Sequence, residues 1–321
     1  MESSRKSAGG SRRKGIAKFA AGGRLLSAAA RATGAAAVIV VMHLLARVPW
    51  SLARCLGAGA GALLLRLLSR RRRIAAVNLS LCFPERGEAW RRRVRRATFR
   101  SVGVMLAEIA RAWCRARVEA LPPHRIEGLE HVFKAQRAGR PVLMVTGHFT
   151  CMDLTARMVG EQVPMAGVYR PLRNPWLERW QNRCRGRYAL AMISKRDPRG
   201  MLRHLRRGGA LWYAPDQDPG PQRAGFVPFF GRPAATALAT WRLAHRTGAA
   251  VIPMWPRREA DGSYTIRIEA PLPGVEDATP ERLLTAFNAG IEAAVRQAPE
   301  QYWWLHRRFK TQPPTSTSPY H

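Results

Sequence analysis

PVLMVTGHFTCMD, residues 141–153, decides the architecture of this chain. Its apolar run shows no polar alternation and is too short for a buried helix, so it reads as a strand buried on both faces. Gly147 permits a sharp turn after Thr146, and a helix opens from about Thr150. The same unit recurs downstream: MAGVY (165–169) before an amphipathic stretch over 175–187, ALAMI (189–193) before 198–207, and ALWYA (210–214) before a helix predicted over 234–246. AAVIPMW (249–255) follows, and Asp261-Gly262 marks a turn into YTIRIEA (264–270). Thr279-Pro280 then starts a helix with Leu283, Leu284, Phe287, Ile291 and Val295 on one face. Strand–helix alternation implies an α/β sheet. Upstream, residues 74–120 read as helical, with Val94, Ala97, Val102, Leu106, Ile109 and Trp113 at helical spacing over 91–118.

The charge points outward. The 321 residues carry a formal net charge of +33. Between Glu2 and Glu85 stand fifteen Lys and Arg and no carboxylate, so local salt bridges cannot neutralise that run. Its counter-charge is nucleic-acid phosphate or an anionic membrane surface. Residues 1–31, basic and rich in Ser, Gly and Ala, are expected to be disordered. Residues 32–46 form an uncharged run between Arg31 and Arg47, about 22 Å as a helix against a hydrocarbon core of about 30 Å. Extension through Ala53 makes it long enough, with Arg47 snorkelling. A second apolar run follows at Cys55–Leu65. The expected organisation is a basic tail (1–31), a membrane-anchor region (32–68), a folded domain (69–312) and a loose tail (313–321). The five cysteines are scattered, with no CxxC pair, so neither a disulfide framework nor a zinc knuckle is indicated.

Candidate chemistry centres on His148 and Asp153. The histidine stands at a strand's C-terminal end before a helix, where α/β proteins build sites. The acid, five residues on, can reach back to one imidazole nitrogen and leave the other as a base. Arg170, in Gly167-Val168-Tyr169-Arg170-Pro171, ends a strand and suits an anion, or is simply solvated. Asp216 and Asp218 lie in Ala214-Pro215-Asp216-Gln217-Asp218-Pro219-Gly220, either positioning a substrate or serving a turn, with no His or Cys cluster beside them to make a metal site. Trp303, Trp304, His306, Arg307, Arg308 and Lys310 mix aromatic and cationic groups, as suits a lipid headgroup interface. The glycines of GAGAGA (57–62) mimic a dinucleotide fingerprint outside any βαβ unit, and small-residue helix packing is the better account. Neither a P-loop nor a GxSxG elbow is present.

Several blocks in order resemble the late acyltransferases of lipid A biosynthesis, the lauroyl and myristoyl transferase family of Gram-negative bacteria. They are Asn78-Leu79-Ser80-Leu81-Cys82-Phe83-Pro84, His148 to Asp153, Gly167–Pro171, Trp212-Tyr213-Ala214-Pro215-Asp216, Pro299-Glu300-Gln301-Tyr302 and Trp304–Thr311, the last most like the lauroyl-type branch. The resemblance runs from about residue 73 to 313. It implies a central mixed β-sheet flanked by helices, similar to glycerolipid acyltransferases, behind an N-terminal apolar anchor helix. It implies catalysis by His148 and Asp153, with Arg170, Asp216, Asp218, His306, Arg307 and Arg308 as substrate-binding residues. Acyl carrier protein would be the donor and a lipid A precursor the acceptor, with no metal and no cofactor. The enzyme would work at the anionic inner membrane, its catalytic domain on the cytoplasmic side. The family does not generally carry the basic stretch Arg5–Arg31.

The competing class is a nucleic-acid-binding protein. Net charge and Trp/Arg interleaving suit it, but no nucleic-acid motif appears and residues 32–65 are too apolar. Membrane fractionation at high salt separates the two.

Overall fold

Val142, Leu143, Met144 and Val145 are wholly inaccessible to solvent, as a run without polar alternation requires. They form the middle of the sheet in a computed structural model that describes residues 29–272, 279–314 and 316–320. Of residues 1–31, expected to be disordered, 1–28 lie outside the described residues, whereas 29–31 are helical and open the first helix, which corrects that boundary.

The chain begins there with four helices, α1 (Ala29–Arg47), α2 (Trp50–Leu67), α3 (Ser69–Cys82) and α4 (Glu88–Cys114). Then come β1 (His124–Glu127), α5 (Leu129–Arg137), β2 (Val142–Val145), α6 (Met152–Gly160), β3 (Met165–Tyr169), α7 (Pro175–Arg185), β4 (Ala191–Ser194), α8 (Pro198–Arg206) and β5 (Ala210–Tyr213). A hairpin of β6 (Ala224–Phe229) and β7 (Arg232–Ala237) precedes α9 (Ala239–Thr247), β8 (Ala250–Arg258), β9 (Tyr264–Ile268) and α10 (Pro280–Gln297).

Among the described residues, seven strands form one sheet in the order β1-β9-β8-β2-β5-β3-β4. Every pairing is parallel except β8 with β9, so the sheet is mixed, as expected. The C-terminal ends of β2, β5, β3 and β4 therefore lie along one edge. Asn174, Asp197 and Thr279 cap α7, α8 and α10 through their side chains, each followed by proline at the first helical position.

Two further expectations are corrected. The helix predicted over 234–246 starts only at Ala239, because residues 232–237 pair antiparallel with β6. The hairpin turns at Phe230-Gly231, both at positive φ, as its two-residue loop demands. The C-terminal tail, expected to be loose, returns to the body at Tyr320, whose hydroxyl donates to Asn78 Oδ1 and accepts from the Phe309 N–H.

The glycines of GAGAGA do serve helix packing. A Cβ on Gly61 would strike the Phe99 carbonyl of α4, and one on Gly103 would strike the Gly57 carbonyl of α2. Among the described residues α1 is the one single helix long and apolar enough to cross a membrane. It runs beside α7: Asn174 Nδ2 donates to the Arg31 carbonyl, and His43 lies 6.4 Å from the Trp180 ring. Val38, Val40, Val41 and Leu44 remain exposed on α1, as do Leu52, Leu56, Leu63 and Leu67 on α2.

Candidate active site

His148 follows β2 and Asp216 follows β5, and because those strands are neighbours the two residues meet. The His148 Nδ1 and backbone N–H both reach the Asp216 carboxylate, the latter at 2.9 Å from Oδ2. Tyr302 donates its hydroxyl to the same Oδ2, also at 2.9 Å. Asp216 is buried. Burial alone would raise its pKa, but the His148 ring and the two His148 hydrogen bonds outweigh it and hold the carboxyl at about 2. An ionised carboxylate only accepts, so Nδ1 carries the proton. Nε2 is left as the basic nitrogen, with no protein partner among the described residues.

The backbone here is fixed from three sides. The His148 carbonyl accepts from the Trp303 N–H at 2.9 Å, and Thr150 N–H donates to the Gln301 carbonyl at 2.8 Å. Behind Thr150, Arg258 grips Glu108 of α4 through two 2.7 Å bonds and donates to Ser101, which in turn bonds Thr150. Burial would weaken the Arg258 charge, but Glu108 overcomes this and raises its pKa. The N–H groups of His148, Phe149, Thr150 and Met152 are all committed within the protein. That leaves none of these four for an oxyanion.

His148 opens onto a cavity of about 1280 Å³. Its apolar lining includes Met105 and Ile109 of α4, Met152, Met201, Leu202 and Leu243. Its unpaired cations are Arg170 after β3, Lys195 and Arg196 after β4, Arg223, and Arg242 and Arg246 of α9. No carboxylate among the described residues pairs with any of these six. Burial lowers the Lys195 pKa, and Arg170, Arg196 and Arg223 lower it further, as crowded like charges must.

The expected bond from Asp153 to His148 is absent. Asp153 instead pairs with Arg185 of α7 at 2.5 Å on the same cavity. Burial lowers the Arg185 pKa, but Asp153 and Tyr188 more than reverse it. Its guanidinium lies 4.9 Å from the Trp113 ring centroid. Asp216, expected to touch substrate, stands behind His148 as its partner. Asp218 lines the cavity, but its oxygens accept from the N–H groups of Gly220 and Thr311 and the Thr311 hydroxyl, which makes it a turn anchor.

His306, Arg307 and Arg308 do not line the cavity. Arg308 is buried and donates to the Ala235 carbonyl, Thr236 and Asn288, with its guanidinium over Phe229. Arg307 lies over Tyr320. His306 Nε2 accepts from the Asp218 N–H at 3.1 Å. Burial, opposed by Asp216 and reinforced by His148, pushes its pKa down to about 4. It is therefore neutral near pH 7 and carries no charge for a headgroup. Between pH 6.5 and about 4 the unfolded chain takes up a proton that folded His306 refuses, so stability falls as pH falls across that window. The expected contribution is roughly 2–3 kcal/mol. Melting temperature followed from pH 7 to 4.5 should fall less steeply in His306→Gln than in the parent. Parallel slopes would show that His306 is not the group responsible.

Sequence reasoning missed Arg185, Tyr302 as a hydrogen-bond donor, and five of the six cations on the cavity wall. Arg185 sits in the run Arg183, Arg185, Arg187, where spacing does not single it out. Strand order, which the sequence does not carry, is what gathers the rest.

The chain matches the model of the bacterial lipid A biosynthesis acyltransferase family over residues 24–311. It belongs to that family. It is an acyltransferase, and the competing nucleic-acid-binding class falls away as its primary description. The lipid A biosynthesis lauroyltransferase of Escherichia coli K12 is 40% identical over 282 residues, spanning 86% of this chain and 90% of that protein. The palmitoleoyltransferase of the same organism is 37% identical over 283 residues, spanning 87% and 92%. Its myristoyltransferase is 30% identical over 258 residues, spanning 79% and 80%. This acyltransferase is thus more like the lauroyl than the myristoyl enzyme, as its closing block suggested. The 1-acyl-sn-glycerophosphate acyltransferase of Thermotoga maritima covers 78% of this chain and 98% of its own at 12% identity and a TM-score of 0.37, a likeness too slight to inform the site.

Proposed function

We propose that this acyltransferase moves a fatty acyl chain from acyl carrier protein to the hydroxyl of a 3-hydroxyacyl chain on a lipid A precursor. The observation that carries the reading is one cavity lined together by a free imidazole nitrogen, apolar side chains and unpaired cations. His148 Nε2 takes the acceptor hydroxyl proton as its oxygen attacks the thioester carbonyl carbon. The Asp216 carboxylate stabilises the imidazolium that forms. The C–S bond then breaks, and the imidazolium returns its proton to the departing sulfur. Arg170 and Arg185 are the cations available to the developing oxyanion. The donor is already a thioester, so the scheme calls on no metal and no cofactor.

The apolar lining residues suit the acyl chain, and the cationic ones suit acceptor phosphates. The exposed apolar residues of α1 and α2 support work at a membrane, which we assign to the cytoplasmic face of the inner membrane. Residues 32–68 act as the anchor region and 69–312 as the catalytic domain. The test is transfer by purified protein from acyl-carrier-protein thioesters to a purified lipid A precursor, with the added mass located by mass spectrometry. A mass gain absent without the protein supports the reading, and none with any acyl length tried overturns it.

Arg170 separates two roles. If it holds acceptor phosphate, Arg170→Ala raises KM for the acceptor about tenfold with kcat little changed. If it meets the oxyanion, kcat falls instead. We expect the first, because Arg170 stands among the unpaired cations. Steady-state kinetics with varied acceptor decides.

A further inference from the structure

A second cavity, of about 700 Å³, lies where α1 ends against the body. It shares no lining residue with the catalytic cavity. Arg47 comes from the last turn of α1, and Arg115 and Arg117 follow the end of α4. None of the three pairs with a carboxylate among the described residues. The one acid on its wall, Glu119, leaves a net charge of +2. Arg115 Nε is buried with no hydrogen-bond partner.

The segment carrying these arginines is held by other groups. Arg157 of α6 donates to the carbonyls of Ala112, Arg115 and Ala116. Arg111 donates to the carbonyls of Ala120 and Val48, tying this segment to the α1–α2 junction. The cradle is therefore built, and its cations are not what builds it. Beside it, Val40, Val41 and Leu44 present an exposed apolar face on the last turns of α1. Ala46, Cys114 and Ala120 add an uncharged wall inside.

We infer that this cavity binds the phosphate of an anionic membrane lipid headgroup, with the lipid's chains lying along the exposed face of α1. Arginines meet phosphate oxygens through charge-assisted bonds, and three of them line this one cavity. A free phosphate would fill only a small part of the volume and would leave the apolar strip uncovered. The site is separate from His148 and does not depend on the chemistry proposed there.

The test uses full-length protein in non-ionic detergent with dioleoylphosphatidylglycerol, counting retained lipid by native mass spectrometry. The double variant Arg115→Gln, Arg117→Gln should retain the lipid about a hundredfold less than the parent, since two charged bonds are lost and each is worth about a factor of ten. The charge-matched control Arg93→Gln, Arg96→Gln, on the exposed first half of α4, should retain it as the parent does. Inorganic phosphate in excess should leave the lipid in place, and turnover on detergent-dispersed acceptor should be unchanged in the double variant. Equal losses in both variants would reduce the effect to bulk charge and overturn the inference. Undiminished retention in the double variant, or displacement by inorganic phosphate, would overturn it as well.

Discussion

His148→Ala is expected to lower kcat by on the order of 10²–10⁴, the range a general base contributes. The variant removes the only imidazole nitrogen that opens onto the cavity among the described residues. Binding should survive, because the apolar and cationic lining residues all remain. KM for the acceptor should therefore stay near the parent value. The fold should survive too, at a cost of about 1–3 kcal/mol for the lost buried hydrogen bond. Asp216 keeps Tyr302 and the backbone N–H of residue 148 as donors, so its charge is not stranded. Kinetics are best measured well below the melting temperature, with added imidazole as a rescue arm. Imidazole entering the vacated space beside Asp216 should restore part of the rate. A variant with near-parental turnover and a normal melt would remove His148 from the mechanism.

What the sequence made legible follows what is local in the chain. PVLMVT announced β2 because a continuously apolar four-residue core leaves few alternatives, and Gly147 with His148 fixed where the site begins. HRIE gave no such signal for β1: its residues alternate between half-buried and exposed, and only one is strongly apolar. Residues 234–237 read as the start of a helix because Ala-rich sequence favours helices, but pairing with β6 overrode propensity. The site shows the same limit. Asp153 was the visible partner for His148, being five residues away. Asp216 lies 68 residues further along the chain and arrives only because β5 pairs with β2. Arg308, which looked like a headgroup ligand, proved to be the buried clamp between β7 and α10. In the sequence a cation that folds inward and one that faces a ligand are written alike.

Asp216→Asn and Asp153→Asn should separate these two acids. In Asp216→Asn, the N–H of His148 and the hydroxyl of Tyr302 still need an acceptor, and both converge on the Oδ2 position. The asparagine carbonyl must therefore turn to them, which aims its NH₂ at Nδ1. A donor facing Nδ1 forces the imidazole proton onto Nε2, and the base is lost although the geometry is kept. The expected fall in kcat is on the order of 10³–10⁴, the scale of a wrong-tautomer triad. The rate should also lose its dependence on imidazole ionisation. Asp153→Asn acts elsewhere. It leaves Arg185 half-buried without its ion pair, so Arg185 swings or reorganises and turnover drops. The His148–Asp216 pair is untouched, so whatever rate remains should keep the parental pH profile. Both variants need their kcat measured from about pH 5 to 9, with a melt at each end. If Asp153→Asn erases the imidazole limb and Asp216→Asn preserves it, the short-range pairing suggested by the sequence is the functional one. The bond to Asp216 would then describe only a resting arrangement of the ring.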